Sequence, residues 1–193
     1  AYEIYQCDWS SDVCSSDLNF GQQPFKYTVP SGFKTICTTN LPNPTIGATT
    51  STAANKYFDA TLYTGSNTAQ SITNAGTFQP SLIWIKNRSL PYYNTLYDDI
   101  RGAGTRLFTN LTDGESNDGS LTSFNANGFS MAVNSGQSIN EAPSSYVAWQ
   151  WKGATSNTTN TSGTITSNVR ANPSAGFSVV TWAGSGAAGT IGH

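Results

Sequence analysis

The chain has 193 residues, with nine Lys and Arg against eleven Asp and Glu, and only 10% of its residues are charged. That fraction is far below the roughly 25% of an average globular protein. Without a Lys- or Arg-rich run, the sequence excludes a protein that binds nucleic acid through the phosphate backbone. No stretch approaches the roughly 18 consecutive apolar residues of a membrane-spanning helix, so we expect no membrane insertion. Abundant Thr, Ser, Asn and Gly, with 12% aromatic residues, favour an all-β, loop-rich protein.

The first 18 residues, AYEIYQCDWSSDVCSSDL, differ from everything that follows. Back-translated, CDWSSDVCSSDL resembles a widely used sequencing-library adapter, and AYEI resembles the upstream part of the same adapter, one barcode away. We interpret residues 1–18 as an artefact and exclude them from fold reasoning; the alternative is a small disulfide loop between Cys7 and Cys14. The segment holds four of the eleven acids and no base, so the remaining nine bases and seven acids give a net charge of +2.

Residues 19–46 form the next segment and predict short extended pieces that end in NLPNPTI. Its two prolines cannot continue a central strand. Residues 47–55, GATTSTAAN, are small and uncharged, a composition typical of a linker.

Strand signals become dense from residue 56 onward. SLIWIK (81–86) contains four consecutive apolar residues, which predicts a strand buried on both faces. In YVAWQWK (146–152), Val147, Trp149 and Trp151 share one face, and we predict that these tryptophans and Trp84 lie in the core. Asn127-Gly128 between two apolar arms predicts a hairpin over 123–133. Further strands are predicted at YFDATLYT (57–64) and FSVVTWA (177–183).

An internal repeat links two of these strands. FDATLYTGS from Phe58 aligns with FSVVTWAGS from Phe177; the alternative is a chance likeness between β-rich segments. We therefore expect one domain over 56–170, with residues 171–193 as the first strand of a second repeat. The chain would then be a fragment, truncated at both ends.

The motifs of both segments resemble known families. Residues 19–46 resemble the closing strands of a SPRY-like, concanavalin A-like module of tailed-phage proteins. FQPSLIWIKNRS, LYDDIRGAGTRLFTNLTDGES, LTSFNANGFSM and YVAWQWK resemble a phage-encoded jelly-roll domain of unresolved function. The resemblance implies an all-β, concanavalin A-like jelly-roll sandwich in a virion, and it implies no ligand.

Catalytic groups are sparse. The single histidine, His193, is the last residue, so no internal Ser-His-Asp arrangement can be built. A glycoside hydrolase needs two carboxyls about 5–10 Å apart, and the only glutamates after residue 18, Glu115 and Glu141, lie in polar loops. We therefore expect no enzyme.

Two kinds of binding site remain. Asp113, Glu115, Asn117 and Asp118 place oxygen ligands at short intervals, as some calcium loops do, but the EF-hand pattern is incomplete. Calcium is thus a weak hypothesis beside a polar turn, and no other cofactor is indicated. A sugar site needs exposed aromatic rings and polar groups, and we predict it at a set of five residues: Tyr92, Tyr93, Asp98, Asp99 and Arg101. For the acids and Arg101, the alternative is an internal ion pair that orders the loop.

We therefore expect a non-enzymatic virion protein of a tail fibre or similar appendage, placed outside the cell. Its expected partners are other virion proteins and host-surface glycans. A decoration or spacer protein without a ligand is one alternative, and a secreted glycoside hydrolase on the same scaffold is another.

Overall fold

The computed structural model describes residues 46–47, 49–133 and 138–193, together with Ser31. The chain divides into two units, Ala1–Pro44 and Thr45–His193, and nearly all described residues belong to the second. The segments expected to be adapter-derived (1–18) and SPRY-like (19–46) therefore lie outside the described residues, apart from Ser31 and Ile46.

The described part of the chain is almost entirely β-structure, as the composition predicted. A single 3-10 turn at Ala54–Lys56 precedes the first strand, and no α-helix occurs in the described ranges. Within those ranges no helix is long and apolar enough to cross a bilayer. The strands are β1 (Phe58–Thr64), β2 (Gln70–Thr73), β3 (Leu82–Asn87), β4 (Thr95–Asp98), β5 (Thr105–Phe108), β6 (Ser116–Asn117), β7 (Leu121–Asn125), β8 (Gly128–Met131), β9 (Ser145–Trp151), β10 (Thr158–Asn160), β11 (Ser167–Asn172) and β12 (Phe177–Trp182).

Three antiparallel sheets organise these strands. The largest has the order β1-β9-β3-β4-β5-β6, and the second has the order β2-β8-β7. The third, β10-β11-β12, consists of the last three strands. In the large sheet β9 lies between β1 and β3, with Trp149 opposite both Ala60 and Trp84.

The hydrophobic core lies between the large sheet and the β2-β8-β7 sheet. Alternate residues of β3 and β9 face inward because successive side chains of a strand point to opposite faces. Tyr63 stacks on Tyr146 with ring centroids 5.1 Å apart, and its hydroxyl donates to the Ile139 carbonyl at 2.7 Å. The fold is therefore all-β and sandwich-like, and its buried cluster consists of Ile72, Ile83, Ile85, Tyr97, Leu121, Phe129, Met131, Ile139, Tyr146 and Ala148.

Strand β3 differs from its prediction of burial on both faces. Ile83 and Ile85 are fully buried, whereas Leu82, Trp84 and Lys86 on the opposite face are only half-buried. The same holds in β9, where the inward face carries Tyr146, Ala148 and Gln150 instead of the tryptophans. The prediction that Trp84, Trp149 and Trp151 belong to the core is therefore wrong: they lie on the outer face of the large sheet.

The predicted hairpin over 123–133 is confirmed as β7 and β8, with Asn125 opposite Gly128. The two turn residues are Ala126 and Asn127, one position earlier than the Asn-Gly signal suggests. Gly128 has a φ of +147°, and a Cβ atom there would lie 1.9 Å from the carbonyl oxygen of Ile72 in β2. The glycine is thus needed for the close approach of β2 as well as for the hairpin.

The segment 171–193 joins the third sheet. All six residues of β12 pair with β11, from Asn172 opposite Phe177 to Ser167 opposite Trp182. Phe177 stacks on Trp151 of the large sheet at 6.2 Å, and the Asn172 side chain donates to the Lys152 carbonyl at 3.2 Å. The start of a second repeat in these residues stays a prediction.

Candidate functional site

A row of aromatic side chains lies on the outer face of the large sheet. Strand register brings Trp84 opposite Trp149, and Phe58 opposite Trp151. The ring centroids of Trp84 and Trp149 are 5.0 Å apart, and those of Phe58 and Trp151 are 5.1 Å apart. We call Phe58, Trp84, Trp149 and Trp151 the aromatic face.

The aromatic face is open enough to contact a ligand. Phe58 is 40% exposed. Leu62, four residues further along β1 and on the same face, is 63% exposed. The three tryptophans are half-buried, as a ring that rests on a sheet must be. Trp149 and Trp151 are two residues apart on β9, so their Cα atoms are about 7 Å apart. An extended apolar surface of this kind usually marks a binding site.

The predicted tyrosines lie beside one end of this face, in the loop between β3 and β4. Lys86, which shares the outer face with Trp84, donates to the Tyr92 carbonyl at 2.6 Å and so ties the loop to the sheet. Tyr93 is 47% exposed and packs on Phe108 at 5.1 Å. The pKa of Tyr92 is raised, first by desolvation and then by the Glu141 carboxylate, which places Glu141 next to this loop.

Asp98 and Arg101 lie at the opposite end of β4 and bind each other. Arg101 Nε is 2.5 Å from Asp98 Oδ2, and Asp98 Oδ1 accepts the backbone N–H groups of Ile100 and Arg101 at 3.2 and 2.9 Å. Arg101 also contacts Glu115 at 3.3 Å. The structure therefore splits the predicted set in two, because β4 lies between the tyrosines and this cluster and its end residues, Thr95 and Asp98, are about 10 Å apart.

Asp99 links the large sheet to the third sheet. Its Oδ2 atom is 2.8 Å from Arg170 Nη1, and only 5% of its side chain is exposed. Burial raises the pKa of Asp99 to about 6, although the Arg170 guanidinium and a hydrogen bond from Ser81 oppose that rise. Arg170 is itself held by the Asn157 side chain at 2.6 Å. Asp99 thus pairs with an arginine of β11, whereas the ion pair that the sequence left open as an alternative corresponds to Asp98 and Arg101.

The oxygen-rich loop at 113–118 is engaged by arginines. Glu115 contacts Arg101, and Asp118 pairs with Arg106 while accepting from the hydroxyl of Ser120 at 2.5 Å. The Asn117 side chain donates to Thr105 at 3.4 Å. In the described ranges no group of three or more His, Cys, Asp or Glu side chains is placed to hold a metal ion.

The two glutamates lie at opposite ends of the large sheet. Glu115 contacts Arg101 at one end of β4, where Asp98 lies opposite Leu82 of β3. Glu141 precedes β9, and its backbone N–H donates to the Tyr146 hydroxyl at 2.8 Å. Tyr146 lies opposite Asn87, which is at the other end of β3. The six residues of β3 span about 17 Å, more than the roughly 5–10 Å that a pair of glycosidase carboxylates requires.

A shallow groove with a volume of about 430 Å³ lies on the β2-β8-β7 sheet. It is lined by Ser71, Ser130 and Met131, with no aromatic ring. The two serine hydroxyls bond to each other at 2.7 Å, and Ser130 Oγ also accepts from the Asn125 side chain at 2.7 Å.

Sequence reasoning missed the aromatic face because it assigned the tryptophans to the core. The alternation in YVAWQWK was visible, but the sequence does not say which face packs inward. Gln150 can be fully buried because Asn74 and Thr61 complete its hydrogen bonds at 3.2 and 2.8 Å. A buried glutamine of this kind has no signal in the sequence.

Residues 53–193 match the family model described as a domain of unknown function, DUF7483. The matched range includes every strand from β1 to β12. No curated protein matches the chain, and no solved structure matches it. Because the matched range covers well over half of the sequence, the chain belongs to the DUF7483 family.

Proposed function

We propose that this protein is a non-enzymatic component of a phage virion that binds host-surface glycans through its aromatic face. Its place would be a tail fibre or similar appendage, outside the cell and in contact with other virion proteins. The virion assignment rests on the resemblance of residues 19–46 and of motifs such as WIKNRS and YDDIRG to phage-encoded modules. We also propose that the sandwich is a concanavalin A-like jelly roll, which the two packed antiparallel sheets support.

The observation that carries the glycan proposal is the outward position of Trp84 and Trp149. Aromatic rings offer a flat apolar surface that matches the C–H face of a sugar ring. A low overall charge suits an uncharged ligand such as a neutral polysaccharide. Because Phe177 already stacks on Trp151, a sugar ring would contact the Trp84–Trp149 pair.

Polar groups at the end of the face add the hydrogen bonds that sugar hydroxyls need. Lys86 lies on the outer face beside Trp84, and the Tyr92 loop, with Glu141 near it, borders that end. The predicted residues Tyr92 and Tyr93 therefore stay part of the proposed site. Asp98, Asp99 and Arg101 are better explained as structural ion pairs, because their charged groups contact one another and Arg170.

Two alternatives make different predictions. A spacer or decoration protein without a ligand would use the aromatic face as a contact with another virion protein. A glycoside hydrolase needs a close carboxylate pair, and the separation of Glu115 from Glu141 disfavours it.

The experiment is a glycan array probed with the full chain, followed by titration of the strongest glycan with the variant Trp149→Ala. We expect at least a tenfold loss of affinity for the glycan, because the variant removes one of the two indole rings of the Trp84–Trp149 pair. The matched control is Trp182→Ala: Trp182 is 54% exposed and, by its position in β12, points to the side opposite Phe177. This control should bind as the wild type does.

An array without signal above background would overturn the glycan proposal and favour the spacer. Equal binding by the wild type and Trp149→Ala would move any sugar site away from the aromatic face. Mass spectrometry of purified particles of the encoding virus tests the virion assignment separately: the protein should be found in the particles.

A further inference from the structure

A hydroxyl and a carboxamide meet on the inner face of the large sheet, between its first strand and β9. Asp59 lies opposite Gln150, and Thr61 lies opposite Ala148, so Thr61 and Gln150 are diagonal neighbours within side-chain reach. The Gln150 Nε2 group donates to Thr61 Oγ1 at 2.8 Å. The nucleophilic oxygen of a threonine is therefore in contact with the carboxamide group of a glutamine.

A carboxylate is placed to activate that hydroxyl. Thr61 Oγ1 donates to Asp59 Oδ2 at 2.9 Å. The same carboxylate oxygen accepts the backbone N–H of Ala75 at 2.9 Å, which fixes its position. A nucleophile within hydrogen-bond distance of an oriented base is the arrangement that activates serine and threonine hydroxyls in covalent catalysis.

The carbonyl oxygen of the glutamine has its own donor. Asn74 Nδ2 donates to Gln150 Oε1 at 3.2 Å. Asn74 is held on both sides of its amide, because it donates to the Phe78 carbonyl at 2.8 Å and accepts the Phe78 N–H at 3.1 Å. A fixed donor at a carbonyl oxygen stabilises the negative charge that develops there when a nucleophile attacks.

The carboxamide is shielded from water. Gln150 is fully buried and Asn74 is only 4% exposed, whereas Asp59 and Thr61 are half-buried. Burial of the carboxamide favours attack by the neighbouring hydroxyl over hydrolysis. The four residues thus supply a nucleophile (Thr61), a base (Asp59), an electrophile (Gln150) and an oxyanion donor (Asn74).

We propose that Thr61 and Gln150 form an intramolecular ester bond with release of ammonia. Asp59 accepts the hydroxyl proton while Thr61 Oγ1 attacks Gln150 Cδ, and the carbonyl electron pair moves to Oε1, which Asn74 stabilises. As the carbonyl re-forms, the Cδ–Nε2 bond breaks and the nitrogen takes the proton from Asp59, leaving as ammonia. One C–O bond replaces one C–N bond, Asp59 returns to its initial state, and neither an oxidant nor a cofactor is consumed.

The bond would join an edge strand to the interior of the sheet. Within the described sheet β1 is paired on one side only, with β9, and it carries Phe58 of the aromatic face. A covalent link from β1 to β9 would prevent this strand from separating under load or heat. The inference does not depend on the glycan proposal, because the ester forms with or without a ligand.

The test is the intact mass of the purified full chain, measured after reduction of its cysteines. We expect a mass lower than the sequence mass by one ammonia. Tryptic digestion should give residues 57–86 joined to residues 107–152, with fragment ions that locate the link at Thr61 and Gln150. The variants Thr61→Val and Asp59→Asn should have their full sequence masses, and the matched control Thr64→Val, exposed on the same strand, should keep the loss.

Two results would overturn the proposal. One is a wild-type mass equal to the sequence mass after prolonged incubation of the folded protein. The other is an ammonia loss that persists in Thr61→Val, because Asn127-Gly128 can lose ammonia by forming a succinimide. If Thr61→Val does not fold, the wild-type digest decides: absence of the joined peptide rejects the ester.

Discussion

At the scale of single residues, several buried polar side chains of this protein are paired with specific partners, whereas the hydroxyls of Thr95 and Tyr97 are buried without one. Gln150 in the core bonds to Asn74 and Thr61, and Asp99 meets Arg170 at the junction of two sheets. Burying such groups without partners would cost several kcal/mol each. Their pairing explains how a chain with few charges tolerates polar residues inside a small sandwich.

Asp99 makes stability depend on pH. Its pKa is about 6 in the folded protein against 3.8 for a free side chain, so between these values the folded state binds more protons than the unfolded state. The stabilisation that the protonated Asp99 carboxyl contributes to the folded state is fully present below pH 3.8 and is lost as the pH rises through about 6. We expect the free energy of unfolding of the wild type to fall relative to that of Asp99→Asn as the pH rises. The difference between the two proteins should change by up to about 3 kcal/mol from pH 4 to pH 7.

Urea unfolding of both proteins at a series of pH values measures this difference. The subtraction cancels the carboxylates that lie far from Asp99, and Arg170 keeps its charge throughout the range. A difference that stays constant with pH would show that Asp99 titrates alike in both states.

At the scale of elements, the hairpin of β7 and β8 depends on one glycine. Gly128 has a φ of +147° and lies where any Cβ would collide with the Ile72 carbonyl of β2. Gly128→Ala must push β8 away from β2 or distort the hairpin, and we expect a loss of about 2–4 kcal/mol. Thermal or urea unfolding checks it.

Gly114→Ala is the matched control for this prediction. A Cβ atom at Gly114 would meet nothing within 4 Å, so stability should change by no more than about 0.5 kcal/mol. Equal effects at the two positions would contradict the steric explanation.

At the scale of the whole molecule, the last strand contributes to the stability of the sandwich. Phe177 stacks on Trp151 of the large sheet, and Val179 is only 9% exposed. We expect a chain that ends at Asn172 to lose about 2–4 kcal/mol of burial free energy and to melt about 5–15 °C lower. Calorimetry measures the shift, and a chain that ends at Trp182 is the control.

This truncation also tests the predicted repeat. If residues 171–193 begin a second module that the first does not need, the melting temperature should not change when they are removed. A marked decrease would instead assign β12 to the same cooperative unit as β1 to β11.

The sequence by itself determined the fold class and the positions of about half of the strands. Period-two alternation, apolar runs and turn residues locate β1, β3, β9 and β12 within one residue and the hairpin within two, because these signals are local. The glycine, threonine and asparagine content excludes helices for the same reason, since each residue's backbone preference acts on its own segment.

Only the tertiary structure decided which face of each strand packs inward. In β9 the more apolar face, with Trp149 and Trp151, lies outside, and the face with Gln150 lies inside. The reason is non-local: Gln150 is satisfied by Asn74 and Thr61, which are 76 and 89 residues away in the chain. The pairing of β1 with β9 brings Thr61, Asp59 and Gln150 together, and the extended strand β4 separates the loop of Tyr92 from Asp98, which lies at the far end of that strand.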